Sequence, residues 1–486
     1  MITGPDLQSL LPIEILAGGM LFTMLGIAVK RSHTWTFVCT LVILAAALGS
    51  VLFCWPQAPH NIDDLFRIDR FGSYFQILIL FATIVISIFS YISLRNFFPE
   101  RRKEEYYLLL LLATLGTCTM VISTHFISFF VALEVLNISL YALISYYRDR
   151  PAAIEAGIKY LILAAMSSAF LLFGMALIYT ATGALSFHQV AAAASYLSPA
   201  PLTMLIGGVG LMLTGIGFKM ALAPFHMWAP DVYQGASSPI GAFIATVSKG
   251  AMVAVLLRIF YLASLDTYPK IMQVMTVIAV LSMLTGNLLA LRQNNVARML
   301  AYSSIAHFGY LLVALVAGQA MSTEAVLFYL TAYILTILGA FGLITLLSTP
   351  DAEATDIRDY AGLFWRKPFS ATIFSIVLLS LAGIPLTAGF MGKFLLLTAG
   401  VAKGNWLLVM TLVISSVIGL YYYLRFIFSM MRTDDTPIPI TLPVSRSWLT
   451  GMIVLASLGV AILWVGIFPA WLLMIIKSLT GIYSNI

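Results

Sequence analysis

Lys219 stands in GIGFKMALAPFHMWAPDVYQGA, at the end of a long apolar run and five residues before Pro224. An isolated cation in hydrocarbon costs at least ~3 kcal/mol on insertion scales, so this lysine must be compensated or used. Lys249 lies well inside the run at 239–263, Lys393 is flanked by TAGFMG and FLLLTAG, and Lys159 lies near the start of the run at 156–182. Lysine suits proton handling, because desolvation can bring an ammonium toward its titration range while arginine stays charged. Glu134, in HFISFFVALEVLNISLYALISYY, supplies an acid with apolar turns on both sides. In lipid such a group pairs with a cation or takes up a proton. A Glu–Lys pair that forms and opens would couple a proton to an electrostatic signal. His307, in RMLAYSSIAHFGYLLVAL, and His226 are candidate relays, since imidazole titrates near neutrality.

Plainer readings stand beside these. Lys159 is close to the loop carrying Arg148 and Arg150, and snorkelling from a helix end accounts for it equally well. A single histidine in a helix also serves as a hydrogen-bonded packing residue. Glu14, near its helix start, reads as interfacial, and the aromatics of LYYYLRFIF read as a span with an interfacial end and no site.

The elements that position these groups follow from composition. The chain has 486 residues, 61% hydrophobic and only 9% charged, against about 25% charge in soluble domains. The apolar runs are continuous and near the ~20 residues of a membrane helix, which excludes a barrel of short alternating strands. The expected fold is an all-α polytopic membrane protein with fourteen spans: 9–30, 34–55, 72–95, 106–123, 125–147, 156–182, 202–232, 239–263, 271–291, 299–318, 322–348, 368–402, 405–430 and 449–476. Loops are short, so 1–486 reads as one membrane domain. Two runs, 202–232 and 368–402, are longer than a straight crossing needs, and they carry Pro224 and Pro385. Each proline should free the carbonyl four residues earlier, Met220 or Leu381, and the first of these would offer Lys219 a polar neighbour. Such breaks are tolerated only when buried in protein or lining a wet cavity. Paired broken helices point to the inverted repeats of a transporter, placed at about 106–263 and 271–430, with flanking helices at 9–95 and 449–476.

Of the 26 Lys and Arg residues, sixteen fall in loops after odd-numbered spans, among them Arg101, Arg102 and Lys103, and six after even-numbered ones, Arg258 included. This bias puts the odd loops in the cytoplasm and both termini outside. The four that remain within spans are all lysines. The net charge of +6 resides in short loops and is no nucleic-acid footprint. The start, MITGPDLQSLLP, lacks a basic signal-peptide region, so the first run is expected to be retained. Cys39, Cys54 and Cys118 are scattered singly in apolar runs and read as core residues. There is no GxxxxGK[ST], no GxGxxG after a strand and no metal-ligand cluster, so redox or nucleotide chemistry is expected on another polypeptide.

Three segments, FKMALAPFHMWAPDVYQGA, NNVARMLAYSSIAHFGYLLVAL and SLAGIPLTAGFMGKF, resemble subunit N of bacterial respiratory complex I, the NADH–quinone oxidoreductase subunit family related to cation/proton antiporters. The resemblance covers essentially the whole chain. It implies that Glu134 pairs with Lys219 of the broken seventh helix. Lys249 would be the connecting lysine of the eighth helix, and Lys393 the terminal lysine of the broken twelfth. His307 would stand between them, on a polar axis along the bilayer midplane. It further implies no cofactor on this chain, with NAD, FMN, Fe–S clusters and quinone elsewhere in the complex. The implied partners are other membrane subunits and the lipid bilayer, and the implied location is the bacterial inner membrane with both termini periplasmic. The sister subunit M is expected to carry glutamate where Lys393 stands. The alternative is a subunit of a multisubunit sodium/proton antiporter; the segment DVYQG at 231–235 favours complex I, while Ser237, Ser238 and Pro239 depart from the family pattern.

Overall fold

The computed structural model describes residues 4–55, 58–97, 103–318, 320–348, 353–432 and 446–480. Arg101 and Arg102, counted above among the loop charges, lie outside the described residues. Apolar solvent offers the backbone no hydrogen-bond partner, so the spans must be helices. Among the described residues, thirteen helices are long and apolar enough to cross a membrane. The expected twelfth span is two half-helices, Pro368–Ala382 and Ala388–Ala402, which brings the total to the fourteen expected.

Three boundaries differ from the sequence reading. The helix Pro199–Met220 stops before Pro224, because Ala221 takes a left-handed conformation (φ 57°) and donates to the Gly217 and Phe218 carbonyls. Trp228–Gly235 is a separate short helix. The expected span 449–476 divides into Arg446–Ile467 and Ala470–Thr480, with Pro469 between them unable to donate a helical hydrogen bond. The all-α expectation also has a small exception, an antiparallel hairpin pairing His60–Ile62 with Phe66–Ile68.

The chain packs as two compact units. The first comprises Met1–Ser87, Arg102–Ala221 and Val247–Val274. Within it, the helices Pro151–Thr182 and Pro199–Met220 touch backbone to backbone. A Cβ on Gly174 would stand 2.5 Å from the Gly208 carbonyl oxygen, and one on Gly208 would stand 2.8 Å from that of Gly174. Small residues are what permit this approach between membrane helices, and it sets the Tyr160 face of one helix against the end of the other, where Lys219 stands.

The same unit overturns one expectation. Arg258 does not lie in a loop; it sits within the helix Lys249–Leu262, 1% exposed. Its Nη1 and Nη2 donate to the two Asp69 carboxylate oxygens at 2.9 and 2.8 Å. Asp69 also accepts from the backbone N–H of Gly72 at 2.7 Å. The buried basic residues are therefore not all lysines. A two-pronged guanidinium is tolerated here because both carboxylate oxygens meet it.

The second unit comprises Ile88–Arg101, Leu222–Thr246 and Met275–Ile486. Its helices Val296–Ala317 and Ser322–Leu347 are buried nearly all round, as befits helices apolar on every face. The half-helix Pro368–Ala382 ends at Gly383 (φ 83°), whose N–H donates to the Leu379 and Ser380 carbonyls. Ile384 N–H returns to Leu379 as well, at 3.0 Å. This cap needs a glycine and ends the helix before Pro385 is reached.

Candidate functional site

Lys219, Lys249, His307 and Lys393 expose only 3, 0, 4 and 6% of their surface. Snorkelling to an interface therefore does not account for them within their own packing. Lys159 differs: its side chain is 43% exposed and pairs with Glu155, one helical turn earlier, at 2.7 Å.

In the first unit, Lys219 is the penultimate residue of its helix. Its Nζ donates to Asn137 Oδ1 at 2.6 Å and to the Tyr160 hydroxyl at 2.7 Å. Asn137 Nδ2 donates in turn to Glu134 Oε1 at 3.1 Å, and Ser168 Oγ donates to the same oxygen at 2.5 Å. Glu134 and Asn137 are three apart on the helix Phe126–Ile144, hence on one face. Tyr160 and Ser168 come from Pro151–Thr182. The expected Glu134–Lys219 relation is thus present in a corrected form. The two groups meet through Asn137 rather than in direct contact. Nor does the Met220 carbonyl serve Lys219; side chains of two other helices do. A hydrogen bond to a charged group contributes about 1.5–3 kcal/mol, so two of them and a nearby carboxylate are of the size needed to offset a burial penalty of several kcal/mol.

Lys249 opens the helix Lys249–Leu262, directly after a π-helical turn at Ile244–Ser248. Such turns inside α-helices recur at functional sites, because the extra residue re-aims the side chains that follow.

In the second unit, Lys393 Nζ donates to the Leu381 and Ala382 carbonyls at 3.0 and 2.8 Å and to Ser416 Oγ at 3.0 Å. The carbonyl that Pro385 was expected to free is one of these partners. Lys393 also lies 5.4 Å from the centroid of the Tyr310 ring. That ring stands edge-on to His307, with centroids 5.4 Å apart, so Tyr310 contacts both candidate proton carriers. His307 Nδ1 is bonded to the Tyr329 hydroxyl, and its Nε2 lies 3.3 Å from the Tyr423 hydroxyl. Tyr423 also bonds Ser303. Asn287 Nδ2 reaches the Tyr310 hydroxyl at 2.8 Å and Ser415 Oγ at 2.5 Å, while its Oδ1 accepts from Tyr422 at 2.9 Å. The reading of the LYYYLRFIF aromatics as interfacial is corrected in part: Tyr422 and Tyr423 are buried against Asn287 and His307, while Tyr421 and Phe428 face outward.

His226 is buried in the turns between Met220 and Trp228, and its Nδ1 has no partner among the described residues. It is not joined by a hydrogen bond to His307 or to Lys393. Among the side chains in these contacts that the sequence reading did not single out are Asn137, Tyr160 and Asn287. Asn137 had a signal, a polar residue three positions after an acid in an apolar run. Tyr160 had none. Chemically, the arrangement holds two buried lysines by hydrogen bonds, two on Lys219 and three on Lys393, the first linked through Asn137 to a carboxylate and the second set against backbone carbonyls beside an imidazole network. Among the described residues no group of histidine, cysteine and carboxylates is placed to bind a metal ion.

Residues 123–419 match the family described as NADH:quinone oxidoreductase/Mrp antiporter, TM. The chain is 42% identical to the NADH-quinone oxidoreductase subunit N of Ectopseudomonas mendocina, over 98% of this chain and 97% of that protein. It superposes on a chain of the respiratory complex I from Thermus thermophilus with a TM-score of 0.81 at 32% identity, covering 95% of this chain and 98% of that one. A chain of the Mrp complex from Dietzia sp. gives a TM-score of 0.86 at 20% identity, covering 98% and 97% of the two chains. This last likeness concerns the fold alone.

Proposed function

We infer the function of this chain from the family to which it belongs, the transmembrane subunits of NADH:quinone oxidoreductases and Mrp antiporters: it is the subunit N type of proton-translocating membrane subunit of an NADH–quinone oxidoreductase. Quinone reduction proceeds on other subunits, which carry the NAD, FMN, Fe–S and quinone sites. This chain contributes no redox group and turns the electrostatic signal of that reaction into proton uptake and release. Its place is the bacterial inner membrane, crossed many times, with both termini periplasmic, as the excess of basic residues in the odd loops supports. The ranges 106–263 and 271–430 are the two five-helix repeats. The antiporter alternative rests on a likeness of fold, whereas the complex I reading rests on sequence identity across nearly the whole chain.

The observation that carries the mechanism is the buried contact Lys219–Asn137–Glu134. Lys219 holds the proton, and Glu134 sets how firmly it is held. Lys249 takes the proton on within the first unit. In the second unit His307 and Lys393 form the corresponding pair of carriers. Lys159 and His226 are accessory. Replacing Lys219 or Glu134 by alanine in the assembled complex should leave assembly intact and lower proton pumping by at least about tenfold, and by up to the roughly 10²–10⁴-fold that a positioned proton-transfer group supplies. Wild-type pumping with both replaced would overturn this reading.

A further inference from the structure

Asn137 is 2% exposed and stands between the two charges of the first unit. Its amide has one compatible orientation: Oδ1 faces an ammonium, which only donates, and Nδ2 faces a carboxylate, which only accepts. The groups facing this contact are Lys219 from Pro199–Met220, Tyr160 and Ser168 from Pro151–Thr182, and Glu134 with Tyr141 on the same helix as Asn137. A carboxamide gives up no proton near neutral pH, so the proton on Lys219 has no direct hop through Asn137 to Glu134. The Coulomb attraction between the charges still crosses the amide, but it falls with distance.

We propose that Asn137 is a positioning residue, an uncharged spacer that keeps Lys219 and Glu134 electrostatically coupled and out of contact, so that a modest external signal suffices to change the charge state of Lys219. The inference rests on the proton-carrier reading above. A directly contacting carboxylate would hold the ammonium too firmly to release its proton, whereas an absent spacer would leave it too weakly coupled.

The test uses the assembled oxidoreductase in sealed membrane vesicles, with proton pumping and NADH-driven quinone reduction followed across pH. Asn137→Asp keeps the shape of the side chain and places a carboxylate against Lys219. It should lower pumping about tenfold and move the alkaline limb of the pH profile upward by at least about one unit, the size of shift that an adjacent opposite charge produces. Asn137→Ala should also lower pumping but move that limb downward. Displacement in opposite directions separates this role from a packing role, which would depress activity and leave the profile in place. An unchanged profile in Asn137→Asp, or displacement of both variants in the same direction, would overturn the proposal. If Asn137→Ala fails to assemble, the isosteric Asn137→Asp variant decides alone. Lys219→Ala is the control: if it pumps normally, the proton-carrier reading fails; if it is inactive while Asn137→Asp keeps a normal profile, only the spacer fails.

Discussion

The two units bury a lysine in different ways. In the first, Lys219 is held by side chains from two neighbouring helices and feels a carboxylate through Asn137. In the second, Lys393 is held chiefly by carbonyls that the break in its own span leaves unpaired, with Ser416 as third partner. Side-chain partners can titrate, reorient and pass on a charge. Backbone carbonyls cannot; they supply a fixed negative dipole at a helix end. On the proton-carrier reading, the partners of the first lysine can therefore switch it more readily than those of the second. The units also differ in their ion pairs. Asp69–Arg258 is buried, with side chains 3% and 0% exposed, whereas Asp231–Arg298 is at 32% and 26%.

The strongest test of this contrast is structural. Asp69→Ala leaves Arg258 buried and uncompensated, and losing one partner of a buried pair costs about 3–5 kcal/mol. It should sharply reduce the amount of assembled subunit in the membrane. Asp231→Ala, which opens the more exposed pair, should cost at most about 1 kcal/mol. Equal effects on assembly would erase the distinction.

Next in size is Glu134→Gln, which keeps the hydrogen-bonding shape and removes the charge. Pumping should fall about tenfold with assembly unchanged. A variant that pumps normally would mean that Lys219 is steadied by dipoles as Lys393 is.

Gly383→Ala probes the second unit. The new Cβ would stand 2.8 Å from Lys393 Cδ at a backbone φ of 83°, and a non-glycine residue held there costs about 1–3 kcal/mol. A moderate drop in thermal stability with a several-fold loss of pumping is expected. The smallest effect belongs to Ser416→Ala. Two carbonyls remain on Lys393, so pumping should stay within about twofold of wild type; a loss as large as that of Glu134→Gln would show that a side chain governs this lysine too.

Much of the site was legible in the chain. Lys219, Lys249, Lys393 and Glu134 stood out because ionisable residues in apolar runs are expensive, and His307 because it titrates near neutrality. Pro224 and Pro385 marked both interruptions, but that the Leu381 carbonyl serves Lys393 is visible only in the folded chain. Arg258 was misplaced because its position near the end of a run is the same for a loop residue and for a residue in the last turns of a buried helix. Only the Asp69 carboxylate, 189 positions away in sequence, decides between them. Tyr422 and Tyr423 were read as interfacial because an aromatic cluster at the end of a span has no phase that distinguishes a lipid face from a buried one.

The sequence by itself determined a helical membrane chain, the number of its candidate spans, the two broken spans and the ionisable residues that stand in apolar runs. Length, hydropathy and the cost of charge in lipid act on each segment separately, so each can be read locally. Tertiary structure alone decided what stands against each carrier: the amide between Lys219 and Glu134, the hydroxyl of Tyr160 on Lys219 and the tyrosine network on His307. Those contacts join residues tens of positions apart, and they exist only because helix faces were brought together, as at Gly174 and Gly208, where two backbones meet with no side chain between them.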